Sequence, residues 1–273
     1  MTLNIWSKQA AIPTEHGSWV FLLSPLVIGL LLGGQLGLAQ VLLVIAALAA
    51  FLSRQPLTLL IKILSKRRPR SELAAAIFWL IVYGLVALGS AFGLWRLGAG
   101  YLLWLVLPAI PVMSWHLWLV SRRAERRKPG VEILGSAVLA FVAPAGIWLG
   151  QGEMSLQGWL IWGLLVLQNA ASIVYAYLRL EQRVLAKQPD RAAQLKLGSR
   201  ALLYTTFNLV LALVLVWLAL SPSWLWLAFL VQWAEALYGT FRPALKVKPI
   251  KIGIRQMVVS IIFTILFILV WII

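Results

Sequence analysis

Residues 72–93 read ELAAAIFWLIVYGLVALGSAFG. After Glu72 the stretch carries no charge, and it is as long as a bilayer crossing requires, about 20 mostly apolar residues. Just before it come Lys66, Arg67, Arg68 and Arg70. An apolar span with a basic flank on one side is how a membrane helix with an inward basic end is written.

Eight further runs of the same kind lie on either side, at roughly 17–34, 36–53, 100–121, 131–150, 156–178, 201–220, 224–241 and 254–273. The expected fold is all-α: a polytopic membrane protein of nine transmembrane helices forming a single domain over residues 1–273. Composition agrees. Of 273 residues, 62% are apolar and 12% charged, against about 45–50% and about 25% in soluble domains. Cys is absent, Asp occurs once at Asp190, and His only at His16 and His116. Disulfide frameworks, Cys-based zinc sites, thiol catalysis and Asp-rich metal motifs are thereby excluded. Residues 1–13 hold one basic residue and no long apolar core, so no cleaved leader is expected.

Lys and Arg set the orientation. With the N-terminus in the cytoplasm, Lys8, loop 54–70, loop 122–128, segment 179–200 and segment 242–255 all face inward, and they hold 23 of the 24 basic residues. Arg96 alone falls outside. A wrong helix count would scramble this sorting. The expectation is a bacterial inner-membrane protein with its C-terminus outside and two cytoplasmic cap loops, 54–70 and 179–199. The same sorting accounts for the net charge of +16, so no nucleic-acid partner is expected. Trp6, Trp19, Trp95, Trp159, Trp224 and Trp271 fall near predicted interfaces, as an aromatic belt does.

Outer loops are short, and the two long inner ones follow helices 2 and 6. Gly17-Ser18 before Pro25 is echoed by Gly135-Ser136 before Pro144. This spacing suggests two four-helix halves plus a ninth helix. Gly29 and Gly33 form a small-xxx-small pair, which means close helix packing.

A charge at the centre of a membrane helix costs about 2.5–3.5 kcal/mol on the insertion scale, so polar groups there face protein. Here they gather at the inner helix ends: Glu15, His16 and Trp19 on helix 1, Arg54 after helix 2, and His116 between Trp115 and Trp118 on helix 4. Glu132 is on helix 5, Tyr175 and Arg179 on helix 6, Asn208 on helix 7, and Gln232 and Glu235 on helix 8. In a ring of helices these converge on one cytoplasm-facing cavity. Glu15 and His16 are the candidate acid/base pair; Trp19, Arg54, His116, Glu132, Tyr175, Arg179, Asn208 and Glu235 are the candidate ligand-binding set. A plainer origin also fits several of them. Glu at a helix start is favoured by the macrodipole, and Arg at an inner end by topology.

The run Pro13-Thr14-Glu15-His16-Gly17-Ser18-Trp19, with Pro25 and Gly29, resembles the Pro-x-Glu-His-Gly-x-Trp signature of the YwiC-like family of bacterial integral membrane proteins. Arg54-Gln55-Pro56-Leu57, Glu132 with Pro144, and Lys248-Pro249 with Ile252-Gly253 extend the likeness. More distantly, nine helices with long inner loops after helices 2 and 6 are similar to the UbiA superfamily of prenyltransferases. That resemblance implies a helical ring around a lipid-filled cavity, with two Asp-rich motifs holding Mg²⁺ on a prenyl diphosphate. This chain departs from it, with Ser53-Arg54-Gln55-Pro56 and Tyr177-Leu178-Arg179-Leu180-Glu181 at those places. No cofactor is expected, and Mg²⁺, which prefers carboxylate and phosphate oxygens, is not supported.

Arg binds phosphate directly, in bidentate fashion. The leading expectation is binding, and metal-free conversion if any, of an anionic isoprenoid, quinone precursor or lipid, with membrane lipids as partners and any protein partner unknown. A UbiA-type transferase with an atypical site, a non-catalytic assembly or docking protein, and a small-molecule transporter are the alternatives. A transporter calls for polar residues along a path to the outer face, where these helices are almost purely apolar.

Overall fold

The computed structural model describes residues 8–13, 16–124 and 128–273. Among them the chain is helical throughout, with no strand, as hydrocarbon demands of a backbone that must satisfy its own hydrogen bonds. The helices are α1 (Lys8–Ala11), α2 (His16–Gly33), α3 (Leu38–Leu64), α4 (Leu73–Arg96), α5 (Ala109–Ser121), α6 (Pro129–Leu139), α7 (Val142–Gln151), α8 (Leu156–Gln182), α9 (Arg191–Trp217), α10 (Leu225–Phe241) and α11 (Pro249–Ile272). Two 3₁₀ segments, Arg70–Glu72 and Gly100–Val106, lead into α4 and α5.

Each of the nine apolar runs is helical, but among the described residues seven spans are long and apolar enough to cross a membrane: Leu38–Leu64, Arg70–Arg96, Gly100–Ser121, Pro129–Gln151, Leu156–Gln182, Arg191–Trp217 and Pro249–Ile272. Gly17–Gly33 is a shorter apolar helix. The 17-residue α10 carries Gln232 and Glu235 within its length. The chain is a multi-pass membrane protein, and among the described residues seven of its helical spans have the length and apolar character of a full crossing.

Prolines explain where the helices depart from the simple runs. Proline has no N–H and its ring clashes with the carbonyl four residues back. The run 131–150 accordingly breaks at Ala140–Phe141, four and three residues before Pro144, with Ala143 N–H tightening onto Ala140 O at 3.0 Å. Pro108 likewise separates the 3₁₀ segment Gly100–Val106 from α5. Pro56 behaves otherwise: α3 continues through it to Leu64, absorbing much of the expected loop 54–70. Leu59 and Ile63 are buried there against Ala10, Ala75 and Ala76, and this burial outweighs the lost hydrogen bond. The second expected loop shrinks as well. α8 runs on to Gln182, and α9 begins at Arg191. The single aspartate, Asp190, caps α9 by accepting from Ala193 N–H at 2.8 Å.

α3 packs along α4, α2 along α7, and α9 along α10, while α8 touches α6, α7, α9, α10 and α11. The α2–α7 crossing is made by glycine. A Cβ on Gly33 would lie 2.5 Å from Gly146 O, and one on Gly146 would lie 2.7 Å from Gly29 C. Gly29–Gly33 is therefore the close-packing motif its spacing suggests, and its partner is Gly146–Gly150. The largest core cluster surrounds Trp148, Phe229, Phe263 and Phe267.

Candidate functional site

The face of α8 toward α10 and α11 is polar over its C-terminal half. Gln168, Ser172, Tyr175, Arg179 and Gln182 follow one another at spacings of four and three, the repeat of a single helix face. α10 answers with Gln232, Glu235 and Gly239, and α11 with Arg255 and Gln256.

At the centre is the Glu235 carboxylate, which is buried. Oε1 accepts from Tyr175 Oη at 2.7 Å and from Arg255 Nε at 2.6 Å, while Oε2 accepts from Arg255 Nη2 at 2.8 Å. The two-pronged ion pair is the strong form of a carboxylate–guanidinium contact, although Arg255 is 44% exposed and the pair is weakened by solvent to that extent. Arg255 also stacks over the Tyr238 ring, 4.4 Å from its centroid. Gly239 makes room for Tyr175, whose Cε2 would lie 2.5 Å from a Cβ placed there.

Arg179 and Gln182 hold the end of α10. Arg179 Nη1 donates to Gly239 O at 2.9 Å, to Arg242 O at 2.8 Å and to Gln182 Oε1 at 2.8 Å. Gln182 Nε2 donates to Gly239 O at 2.9 Å, and its Oε1 accepts from Ala244 N–H at 3.2 Å. The last carbonyls of a helix have no intrahelical donor, and these side chains supply one. They also fix the turn through Pro243 and Ala244 that leads into α11. Lys246 N–H to Arg183 O at 3.2 Å and Arg183 Nε to Val247 O at 3.3 Å clasp the same turn from outside.

Between α8, α10 and α11 this arrangement leaves a cavity of about 350 Å³. Arg179, Arg242, Lys251 and Arg255 line it with Glu235 as the one acid, and Tyr238, Val247 and Ile252 give it an apolar wall. Its volume is in the range of small-molecule sites, about 300–1,000 Å³. The charge balance suits an anion: four cations surround one carboxylate that Arg255 already engages.

Of the ten residues expected at the site, Tyr175, Arg179 and Glu235 line this cavity, and Trp19, Arg54, His116, Glu132 and Asn208 lie elsewhere. Asn208 is buried on α9, donating Nδ2–H to Leu167 O at 2.9 Å. Glu132, exposed on α6, accepts from Tyr177 Oη at 2.7 Å. Trp19 stands edge-on to Phe51, with centroids 4.8 Å apart, and Arg54 follows one turn later on α3, half-buried. His116 is half-buried on α5. Glu15 and the side chain of His16 lie outside the described residues. Among the described residues, the structure thus brings three of the expected set to one cavity and keeps five apart from it. The reason is that α3 and α5 pack with α1, α4, α6 and α7, away from the α8–α10–α11 junction.

Sequence reasoning missed Arg242, Lys251, Arg255, Tyr238 and Gln256 as site residues. The basic ones were absorbed by the inside-positive count, which explains any Lys or Arg at an inner helix end equally well. One signal was available: Arg255 and Gln256 lie within the apolar run of the last helix, where a cation needs a partner.

A model of the family described as YwiC-like protein matches residues 12–147. Over that stretch the chain is similar to the YwiC-like family. It is also 26% identical over 157 residues to "Uncharacterized protein YwiC" of Bacillus subtilis (strain 168), a match spanning 56% of this chain and 60% of the relative. No solved structure matches, and nothing in these comparisons supports the likeness to the UbiA superfamily. The YwiC-like stretch runs from just before α2 into α7, so it contains the Gly29–Gly33 and Gly146 contacts together with Trp19, Arg54, His116 and Glu132. Every residue lining the cavity lies C-terminal to it.

Proposed function

We propose that this YwiC-like membrane protein binds the anionic head group of a membrane amphiphile, of the isoprenoid or lipid class, in the cavity between α8, α10 and α11. The observation that carries this reading is the ring of Arg179, Arg242, Lys251 and Arg255 around a 350 Å³ cavity with one acid in it. Among the described residues Arg179 makes its hydrogen bonds through Nη1, which leaves Nε and Nη2 to meet an incoming oxyanion. Guanidinium groups bind phosphate in bidentate fashion without a metal. Tyr238, Val247 and Ile252 form an apolar wall of the cavity, against which the start of an acyl or isoprenyl tail can lie. By the inside-positive rule, the cavity opens to the cytoplasm of a bacterial inner membrane.

The test is binding of a short isoprenyl diphosphate against the matching neutral isoprenol, followed by tryptophan fluorescence in detergent with and without Mg²⁺. The diphosphate is expected to bind and the alcohol not to. Arg242→Ala/Lys251→Ala should weaken binding by at least tenfold, since a hydrogen bond to a charged group contributes about 1.5–3 kcal/mol. Equal binding of the two probes, or no loss in the double variant, overturns the reading.

A further inference from the structure

The polar face of α8 does not stop at the cavity. Gln256 lines the cavity, and its Oε1 accepts from Ser172 Oγ at 3.1 Å. One turn further from the cavity, Gln168 Nε2 donates to Gln232 Oε1 at 3.4 Å. Gln168 is 5% exposed and Gln232 1%. Both sit in the middle of helices read as membrane-embedded. Gln168 lies 11 residues from Arg179, about 16 Å along the axis.

Two amides side by side can satisfy each other twice over. Here they do so once, and at the long end of hydrogen-bond distance. Gln168 Oε1, Gln232 Nε2 and Gln256 Nε2 are buried atoms with no hydrogen-bond partner among the described residues. Buried amides are almost always partnered, and leaving one unmatched in an apolar surrounding is costly. The unmatched set has a definite chemistry: one acceptor that needs a donor, and two donors that need an acceptor. A hydroxyl oxygen provides both. Beyond the amides the character changes at once. Phe229 is one turn further on α10, Phe263 two turns past Gln256 on α11, and Leu164 one turn beyond Gln168 on α8, all buried in one apolar cluster. The rings of Phe229, Phe263 and Phe267 pack at centroid spacings of 5.4 Å. The polar track is a dead end.

We propose that Ser172, Gln256, Gln168 and Gln232 line a closed-ended shaft that leads from the cavity to the middle of the bundle and binds hydroxyl oxygens, of water or of a hydroxyl-bearing ligand. The proposal stands on different atoms from the anion reading and survives that reading's failure. It also sets the shaft apart from a through-channel, because the phenylalanine plug ends it.

The chain has no cysteine, so single cysteines report accessibility without background. Purified Ser172→Cys and Gln168→Cys are reacted with the small anionic reagent methanethiosulfonate ethylsulfonate. Ala170→Cys, equally buried on the far side of α8, and Ile161→Cys, on the same face beyond the amides, serve as depth controls. Lys248→Cys, exposed at the start of α11, is the positive control. The shaft predicts reaction at 172 and 168 at least tenfold faster than at 170 and 161. Adding Gln232→Leu to Ser172→Cys should slow reaction at 172, with folding checked by monodispersity on size exclusion. No reaction at 168 and 172 while Lys248→Cys reacts, or equal rates at all four buried positions, overturns the proposal. Delipidation separates the two sources of the oxygen: a faster reaction after removal of co-purified lipid marks a ligand in the shaft, and an unchanged rate marks water.

Discussion

Replacing Gly146 with alanine tests the α2–α7 crossing on which the N-terminal half is built. The new Cβ would lie 2.7 Å from Gly29 C and 3.0 Å from Gly29 O. Both atoms are backbone and cannot turn aside, so the two helices must part by about 0.8–1.3 Å to reach ordinary contact, which lies near 3.5–4.0 Å. Separation loosens the neighbouring contact of Gly33 with Gly146 O as well. Overpacking of this kind costs about 1–3 kcal/mol. In a chain of this size each kcal/mol moves the midpoint by about 2–4 °C, so Gly146→Ala should lower Tm by about 2–12 °C. The matched control is Gly84→Ala on α4, where nothing lies within 4 Å of the added methyl. There, alanine's better helix propensity predicts no loss, or a gain of up to about 1 kcal/mol. Intrinsic fluorescence of the 15 tryptophans during a thermal ramp in mild detergent reads both variants. Equal midpoints for Gly146→Ala and Gly84→Ala would refute the reasoning, because the two differ only in what the methyl group meets.

Three other expectations follow from the same structure. Glu235→Ala leaves Arg255 and Tyr175 Oη without their shared acceptor and should cost about 1–3 kcal/mol by thermal ramp, below the cost at a fully buried pair because Arg255 is half-exposed; Glu235→Gln, which keeps an acceptor, should cost less. Asp190→Ala removes the cap of α9 and should cost about 0.5–2 kcal/mol, while Asp190→Ser should recover most of it. Single cysteines at 96 and 190 should label from opposite sides of the membrane in intact cells, and labelling from one side would break the inside-positive topology.

The helices were legible because hydrocarbon leaves an apolar run few alternatives. Their interruptions were less so. Pro144 and Pro108 break their helices while Pro56 does not, and the difference is tertiary: Leu59 and Ile63 are held against Ala10 and Ala75, a contact that no local rule contains. Gly29 and Gly33 announced a close crossing by their spacing, but not that Gly146 and Gly150 would meet them. At the candidate site, Tyr175, Arg179 and Glu235 stood out as polar groups in apolar surroundings. Arg242, Lys251 and Arg255 did not, because membrane topology and anion binding demand the same residues at the same helix ends; only their convergence on one cavity separates the two explanations. The α8 stripe from Gln168 to Gln182 was written in the sequence at spacings of four and three. That α10 and α11 face it with the amides of Gln232 and Gln256 is set by tertiary packing, which the spacing does not contain.

The most direct test of the central claim is mass spectrometry of the lipid-soluble molecules that co-purify with the protein in mild detergent, set against Arg242→Ala/Lys251→Ala prepared in the same way. The cavity reading predicts an anionic isoprenoid or lipid enriched over the bulk membrane in the native protein and lost in the variant. The same bulk lipids, in the same proportions, from both proteins would contradict it.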